Sequence, residues 1–278
     1  MLFWLAPPIL WFTVFMLVPY AMLFYYSLGS VNYVTFEPGF SAANFIKVFT
    51  TQPYLGVMLK SAKLGLMTAI FTSILAYPVA FCLAFYAPAG RAKNFLYMLV
   101  IVPWWASYLV KAYAWKTILG SHGLINQLLL NTGIISHPLT FLLYNEFSVA
   151  LTLTYIFTPF AILSIYSQLE RIPVSLIEGA RDLGATGWQI FYKIVFPISV
   201  PGILAGAVIT FSLAFGDFIS PALVGGPNSI MISNIVINLL GRAFDWPLAA
   251  AIGLVIIGMA TALITVANHI ERRLTVRL

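Results

Sequence analysis

The sequence predicts an all-α polytopic membrane protein with six transmembrane helices. Three observations carry that expectation. Of 278 residues, 61% are apolar and only 8% charged, and the mean hydropathy is +0.96. An ordinary soluble domain carries about 25% charged residues, so the 14 Lys+Arg and 8 Asp+Glu here cannot cover a water-facing surface of that size. The charges are also spaced to leave long gaps: 1–36, 64–90, 94–110, 147–169, 194–216, 218–241 and 246–270 carry none. Most of these gaps approach the roughly 20 residues that a bilayer requires. Backbone groups in lipid must be satisfied within the segment, so apolar runs this long are helices.

Read with turn signals, the spans fall at about 2–28, 61–86, 94–118, 147–169, 198–224 and 246–270. The first has no basic n-region, is too apolar for too long, and shows no small-residue cleavage site, so it reads as a retained span rather than a signal peptide. Pro7, Pro8, Pro19, Pro78 and Pro159 are expected to kink their spans. Segment 123–145 contains Asn126, Gln127, Asn131, Thr132, Gly133, Ser136, His137 and Pro138, which reads as a short interfacial helix and then a loop. Segment 225–245 opens on the turn cluster Gly225, Gly226, Pro227, Asn228 and Ser229, and the apolar piece after it is too short to cross. The whole of 1–278 reads as one transmembrane domain. Cys82 is the only cysteine, which excludes an internal disulfide, a Cys-x-x-Cys redox pair and a zinc cluster.

The net charge is +6 with a pI near 9.4. No basic stripe of the kind that tracks nucleic acid is present; basic loops on the cytosolic face account for most of it. One set of loops holds Arg91, Lys93, Arg171, Arg181, Lys193, Arg272, Arg273 and Arg277. The opposite face holds Lys47 and Arg242, with Lys60, Lys63, Lys111 and Lys116 at helix edges. The richer set belongs inside, which puts both termini in the cytoplasm.

The connection 170–197 has internal order. Pro173 stops the fourth span. Ser175 and Glu178 form an S-x-x-E box, a helix-start signature. Leu176, Ile177, Ala180 and Leu183 share one face of the short helix that follows, and Glu178, Arg181 and Asp182 lie towards another. Gly184 stands where a glycine ends a helix. Residues 188–196 then read as a second short helix closed by Pro197. A plain amphipathic surface helix joining two spans would explain the composition; the spacing argues for more.

Glu178-Gly179-Ala180, three residues, Gly184, nine residues, Ile194, one residue and Phe196-Pro197 resembles the E-A-A-x3-G-x9-I-x-L-P loop of ABC importer permeases. Gly179 replaces the family's usual Ala, and Phe196 its usual Leu; size class or apolarity is kept. The resemblance implies a type I ABC importer permease fold in a bacterial inner membrane. It implies that Leu176, Ile177, Glu178, Gly179, Ala180, Arg181, Asp182, Leu183 and Gly184 form a coupling helix docked on a cytosolic ATPase dimer. The apolar side chains suit an apolar groove, the charged ones its rim, and Gly184 a turn that a Cβ would obstruct. The implied partners are that ATPase dimer, a second homologous permease subunit, an extracytoplasmic solute-binding protein and the lipid bilayer, with no nucleic acid. The chain has no G-x-x-x-x-G-K-[ST] loop. ATP and magnesium are therefore expected in the partner ATPase, no cofactor in this chain, and the loop itself on the cytosolic side.

The resemblance covers nearly the whole chain and is closest to spermidine/putrescine permeases. Val102-Pro103-Trp104-Trp105, Leu109 to Trp115, Pro201 to Gly206, Gly216-Asp217-Phe218-Ile219, Leu223 to Pro227 and Asp245-Trp246-Pro247 carry it. It implies a polyamine or similar small cation as substrate, with alternating access driven by the ATPase. Related permeases carry ferric iron, thiamine, sulfate or phosphonates. Asp217 is the only acid deep in a predicted span, ~22 Å along the helix from Gly202. An ionisable residue there is a pathway candidate; pairing with Lys111 or Lys116, or capping a helix break before Pro221, are the structural alternatives. Trp104, Trp105, Tyr108, Tyr113 and Trp115 are candidates for cation–π contacts with the substrate, or for interface belt and packing. Lys60, Lys63, Lys111 and Lys116 would repel a polyamine if they faced the route, and favour an anion. Alternatively they snorkel to headgroups. Gly202 and Gly206 form a G-x-x-x-G packing face.

An intramembrane enzyme and a secondary transporter are the competing classes. His122, His137 and His269, the only histidines, lie in outer loops or at a span end without a catalytic or metal-binding partner. No internal repeat marks a secondary transporter.

Overall fold

The computed structural model describes residues 2–33, 35–88 and 90–275, with side chains from residue 7 to residue 269. Of the arginines used for orientation, Arg277 lies outside the described residues, as do the side chains of Arg272 and Arg273. Among the described residues, five helices are long and apolar enough to cross a membrane, and a pair of helices bent by 89° makes a sixth if the two are taken as one span.

Contacts group the chain into two compact units, 1–60 with 231–261 and 61–230 with 262–278. The first unit opens with α1 (Pro7–Ser27), whose apolar side chains are mostly exposed, Leu23 and Tyr26 being partly buried. A π turn at Thr13–Leu17 follows Pro7 and Pro8. A feature that the sequence reading missed comes next: β1 (Ser30–Asn32) and β2 (Thr35–Glu37) pair antiparallel, with Val31 opposite Phe36. The Asn44 amide on α2 (Ala43–Thr50) pins the hairpin's root, donating to the carbonyls of Ser27 at 2.9 Å and Gly29 at 2.8 Å. The unit closes with α10 (Ile232–Ala243), the apolar piece expected to be too short to cross, and the part of α11 (Trp246–Thr275) up to residue 261. Asp245 Oδ1 accepts from the Leu248 amide at 3.1 Å and so caps α11.

The second unit is built on α7 (Glu146–Leu169), the most buried of the spanning helices. Asn145 and Ser148 form a reciprocal capping box at its start. Around it stand α3 (Gln52–Phe85), α4 (Arg91–Trp105), α5 (Tyr108–Leu119), the short interfacial α6 (Leu124–Asn131), α8 (Val174–Asp182) and α9 (Gly187–Phe215). The closest pairing is α7 against α9. A Cβ on Gly202 would sit 2.8 Å from the Ser164 carbonyl oxygen, and one on Gly206 3.2 Å from the Ala161 Cα. The G-x-x-x-G face therefore packs within this chain, at a backbone separation that side chains would forbid.

Four boundaries differ from the sequence reading. The second span, expected from 61, already starts at Gln52. The third span, expected as one helix over 94–118, breaks at Ala106 and Ser107, which are both extended, and its two parts bend by 89°. Lys111 Nζ donates back to the Pro103 carbonyl at 3.4 Å, one of the groups freed by the break. The second helix of the polar loop does not close at Pro197. It runs on as α9, because a π turn at Phe191–Val195 widens the backbone just where the proline ring would meet the carbonyl four residues back. The fifth span ends at Phe215, not at 224, so Asp217 lies past its end instead of deep within it.

Candidate functional site

The loop between α7 and α9 stands on an apolar cluster formed by Ala80 and Leu83 of α3, Ile165 and Leu169 of α7, and Ile190 and Val195 of α9. Two residues of α8, Ile177 and Ala180, pack against that cluster. Leu176 and Leu183 point away from it, with Leu183 90% exposed. The single apolar face expected from the sequence is thus divided: Ile177 and Ala180 hold α8 to its own chain, Glu178 and Arg181 line a recess beside Ile177 with Phe81 and Phe191, and Leu176, Gly179, Asp182 and Leu183 are turned away from it and exposed.

The two ends of α8 are set differently from each other. Ser175 and Glu178 do not make the expected capping box; Pro173 is the N-cap residue and no side chain caps there. The proline already fixes the entry, and Ser175 falls one position inside the helix, where its hydroxyl cannot reach the free amides. At the other end Gly184 has φ +81°, its amide donates to the Arg181 carbonyl at 2.8 Å, and the Ala185 amide donates to the Ala180 carbonyl at 3.0 Å. Those two bonds make a Schellman stop. Nothing lies within 4 Å of a Cβ built on Gly184, so its surface is open. Two residues later a genuine box appears: Thr186 accepts from the Gln189 amide at 3.3 Å, and Gln189 Oε1 accepts from the Thr186 amide at 2.8 Å. The T-x-x-Q signal was present in the sequence and was overlooked.

Below α8, at the end of α7, Glu170 takes a hydrogen bond from the Tyr166 hydroxyl and lies 3.1 Å from Lys93 Nζ at the start of α4. The Tyr166 hydroxyl first, and then Lys93, hold the Glu170 carboxyl below the usual carboxylate range.

A second cluster lies beyond the end of α9. Asp217 is 8% exposed. Its Oδ1 accepts from the Tyr108 hydroxyl at 2.6 Å, and its Oδ2 accepts from the Ser220 amide at 2.9 Å. Since Tyr108 gives its one proton to Asp217, the Ser220 hydroxyl donates to Tyr108 at 2.8 Å. Asp217 therefore caps the turn before Pro221, one of the structural alternatives, and ties it to the first turn of α5. It pairs with neither lysine: Lys111 reaches Pro103, and Lys116 lies over the Tyr144 ring at 6.0 Å. Of the other aromatic candidates, Trp104 meets Phe160 edge-on at 4.3 Å and Trp115 meets Tyr155 at 5.3 Å. Trp105, 88% exposed, and Tyr113 stand open. Only Tyr108 is brought to Asp217.

Residues 76–276 match the family of binding-protein-dependent transport system inner membrane components. The chain belongs to that family. It is an ABC importer permease subunit, a multi-pass inner-membrane protein and not an enzyme. It is 36% identical to the inner membrane ABC transporter permease protein YdcU of Escherichia coli over 263 residues, covering 90% of this chain and 83% of that one. It is 31% identical to the spermidine/putrescine transport system permease protein PotB of Escherichia coli, covering 87% and 86%. In fold it resembles the bacterial alginate ABC transporter crystallised with an alginate-bound periplasmic protein, at a TM-score of 0.76 and 22% identity over 98% of this chain and 93% of that one. It also resembles the MetNI methionine ABC transporter in inward-facing form, at a TM-score of 0.62 and 17% identity over 79% and 95%.

Proposed function

We propose that this permease imports polyamines such as spermidine and putrescine by alternating access, driven by a cytosolic ATPase dimer docked on α8. The observation that carries the coupling part is the outward face of α8: Leu176, Gly179 and Leu183 with Asp182 beside them, on a helix with a fixed stop at Gly184 and with Glu178 and Arg181 exposed on its other side. Such a face suits a groove with an apolar floor and a charged rim. Ile177 and Ala180 would carry the motion inward, since they sit on the cluster shared by α3, α7 and α9. ATP and magnesium would be bound by the ATPase. A second permease subunit and an extracytoplasmic binding protein would complete the assembly, with both termini of this chain cytoplasmic.

The substrate part rests on the relatives named as spermidine/putrescine permeases. One of the lysines that favoured an anion weakens as counter-evidence, because Lys63 lies 3.5 Å from Glu146. For the pathway, Asp217 and Tyr108 act as the pair that fixes the helix break, while Trp105 and Tyr113 offer open ring faces to a cation.

Labelled putrescine and spermidine uptake in a host with the gene deleted, then restored, tests the substrate. Loss on deletion and recovery with the wild-type gene is expected. Unchanged uptake on deletion, repeated in a strain without other polyamine importers, would overturn the polyamine reading, and sulfate and phosphonate would be assayed next.

A further inference from the structure

A cavity of about 440 Å³ lies between the bend of the third span and α7. Its walls are almost entirely apolar, with Leu75, Leu99, Val100 and Ile162 among them, and Leu75 and Leu99 are exposed on this chain. Lys111, Trp115, Thr154, Tyr155 and Thr158 break that apolar lining, and Lys111 is the one cation among the lining residues. Lys111 and Trp115 stand four residues apart on α5, one turn above the other on the same face, and both line the cavity. The Lys111 ammonium has a single long bond, to the Pro103 carbonyl at 3.4 Å, and two protons to spare. The Trp115 indole N–H donates to no described residue, and the ring is held edge-on against Tyr155. An ammonium in an apolar recess of a membrane protein is costly until an anion meets it.

We propose that this cavity is a binding site for an anionic phospholipid of the surrounding bilayer. The phosphate sits between Lys111 Nζ and Trp115 Nε1, and an acyl chain lies along Leu75, Leu99, Val100 and Ile162. Charge complementarity selects the occupant: one cation stands on a largely apolar wall that carries no acidic side chain, which matches one anionic head on an apolar tail and leaves a polyamine, cationic along its length, without a partner. The site stands apart from the transport reading, since lipid binding is read without transport.

Native mass spectrometry of the assembled complex, released from detergent after incubation with phosphatidylglycerol or phosphatidylethanolamine, tests the site. Wild type is expected to retain phosphatidylglycerol in preference. Lys111→Gln should lower that retention about tenfold, the effect of removing one charge-assisted contact. Lys111→Arg should preserve it, and Lys116→Gln, outside the cavity, should leave it unchanged. Equal retention by wild type and Lys111→Gln would overturn the proposal, as would an equal loss in Lys116→Gln. A cysteine at Leu99 that cross-links to the second permease subunit would also overturn it, showing a protein helix in the recess.

Discussion

The Gly184 amide donates to the Arg181 carbonyl at 2.8 Å, with Gly184 itself at φ +81°. That bond ends α8 sharply and leaves the turn's outer surface bare. Two substitutions separate the backbone from the surface. Gly184→Ala places a Cβ in the left-handed region at a cost of about 1–2 kcal/mol, and should lower the melting temperature by a few degrees. Gly184→Asp is better tolerated in that conformation, so the protein should still insert, yet its carboxylate stands on the surface proposed to dock the ATPase. Uptake should be abolished in Gly184→Asp, checked against its level in the membrane fraction; normal uptake would remove the turn from coupling.

Asp217 answers to Tyr108 and Ser220, so its removal strands two donors. Asp217→Ala should destabilise the purified protein by about 1–3 kcal/mol, the cost of unpaired buried groups, read as a lower melting temperature. Asp217→Asn keeps one acceptor oxygen and should fold, with slower uptake and an unchanged yield of co-purified ATPase. Wild-type kinetics in Asp217→Asn would show that the helix break does not depend on the charge.

The approach of α9 to α7 predicts the next result. Gly206→Val puts a branched side chain where a Cβ alone is 3.2 Å from the Ala161 Cα and 3.3 Å from the Ser164 Cβ. Overpacking of this kind costs about 1–3 kcal/mol. Gly206→Val should therefore melt lower and express less, while Gly258→Val on α11, with open space around it, should not.

Glu170 gives a pH dependence with a definite sign. Its carboxyl is held below the usual range by Tyr166 and then Lys93. A depressed carboxylate stabilises the fold above its unfolded-state value, and that stability is lost as pH falls through the folded-state value. The side chain is half exposed, so the effect is small. Melting temperatures measured from neutral pH down to about pH 3 should fall less steeply for Glu170→Gln than for wild type; identical slopes would show that the trio contributes nothing.

The rough positions of five spans and the polar loop were legible because charge is scarce and its absence marks lipid. The break in the third span was hidden for the same reason. Its signals, Pro103 and Ser107, are weak inside a run where everything else is apolar. Pro197 misled in the opposite direction, because a π turn, which leaves no clear mark in composition, lets the helix carry a proline. On α8, spacing alone grouped Ile177 and Ala180 with Leu176 and Leu183; only the position of the α3, α7 and α9 cluster separates them. Asp217 was noticed as an isolated acid, but its partner Tyr108 is 109 residues away in sequence and no local pattern points to it.

The central claim is that the outward face of α8 carries the ATPase. Single cysteines in a Cys82→Ser background, at Leu176, Leu183 and Ile177, can be tested for cross-linking to the co-expressed ATPase in membranes. Cross-links at Leu176 and Leu183 that change in yield with ATP, and none at Ile177, are predicted. No cross-link at either leucine in an assembled complex that still transports would contradict it.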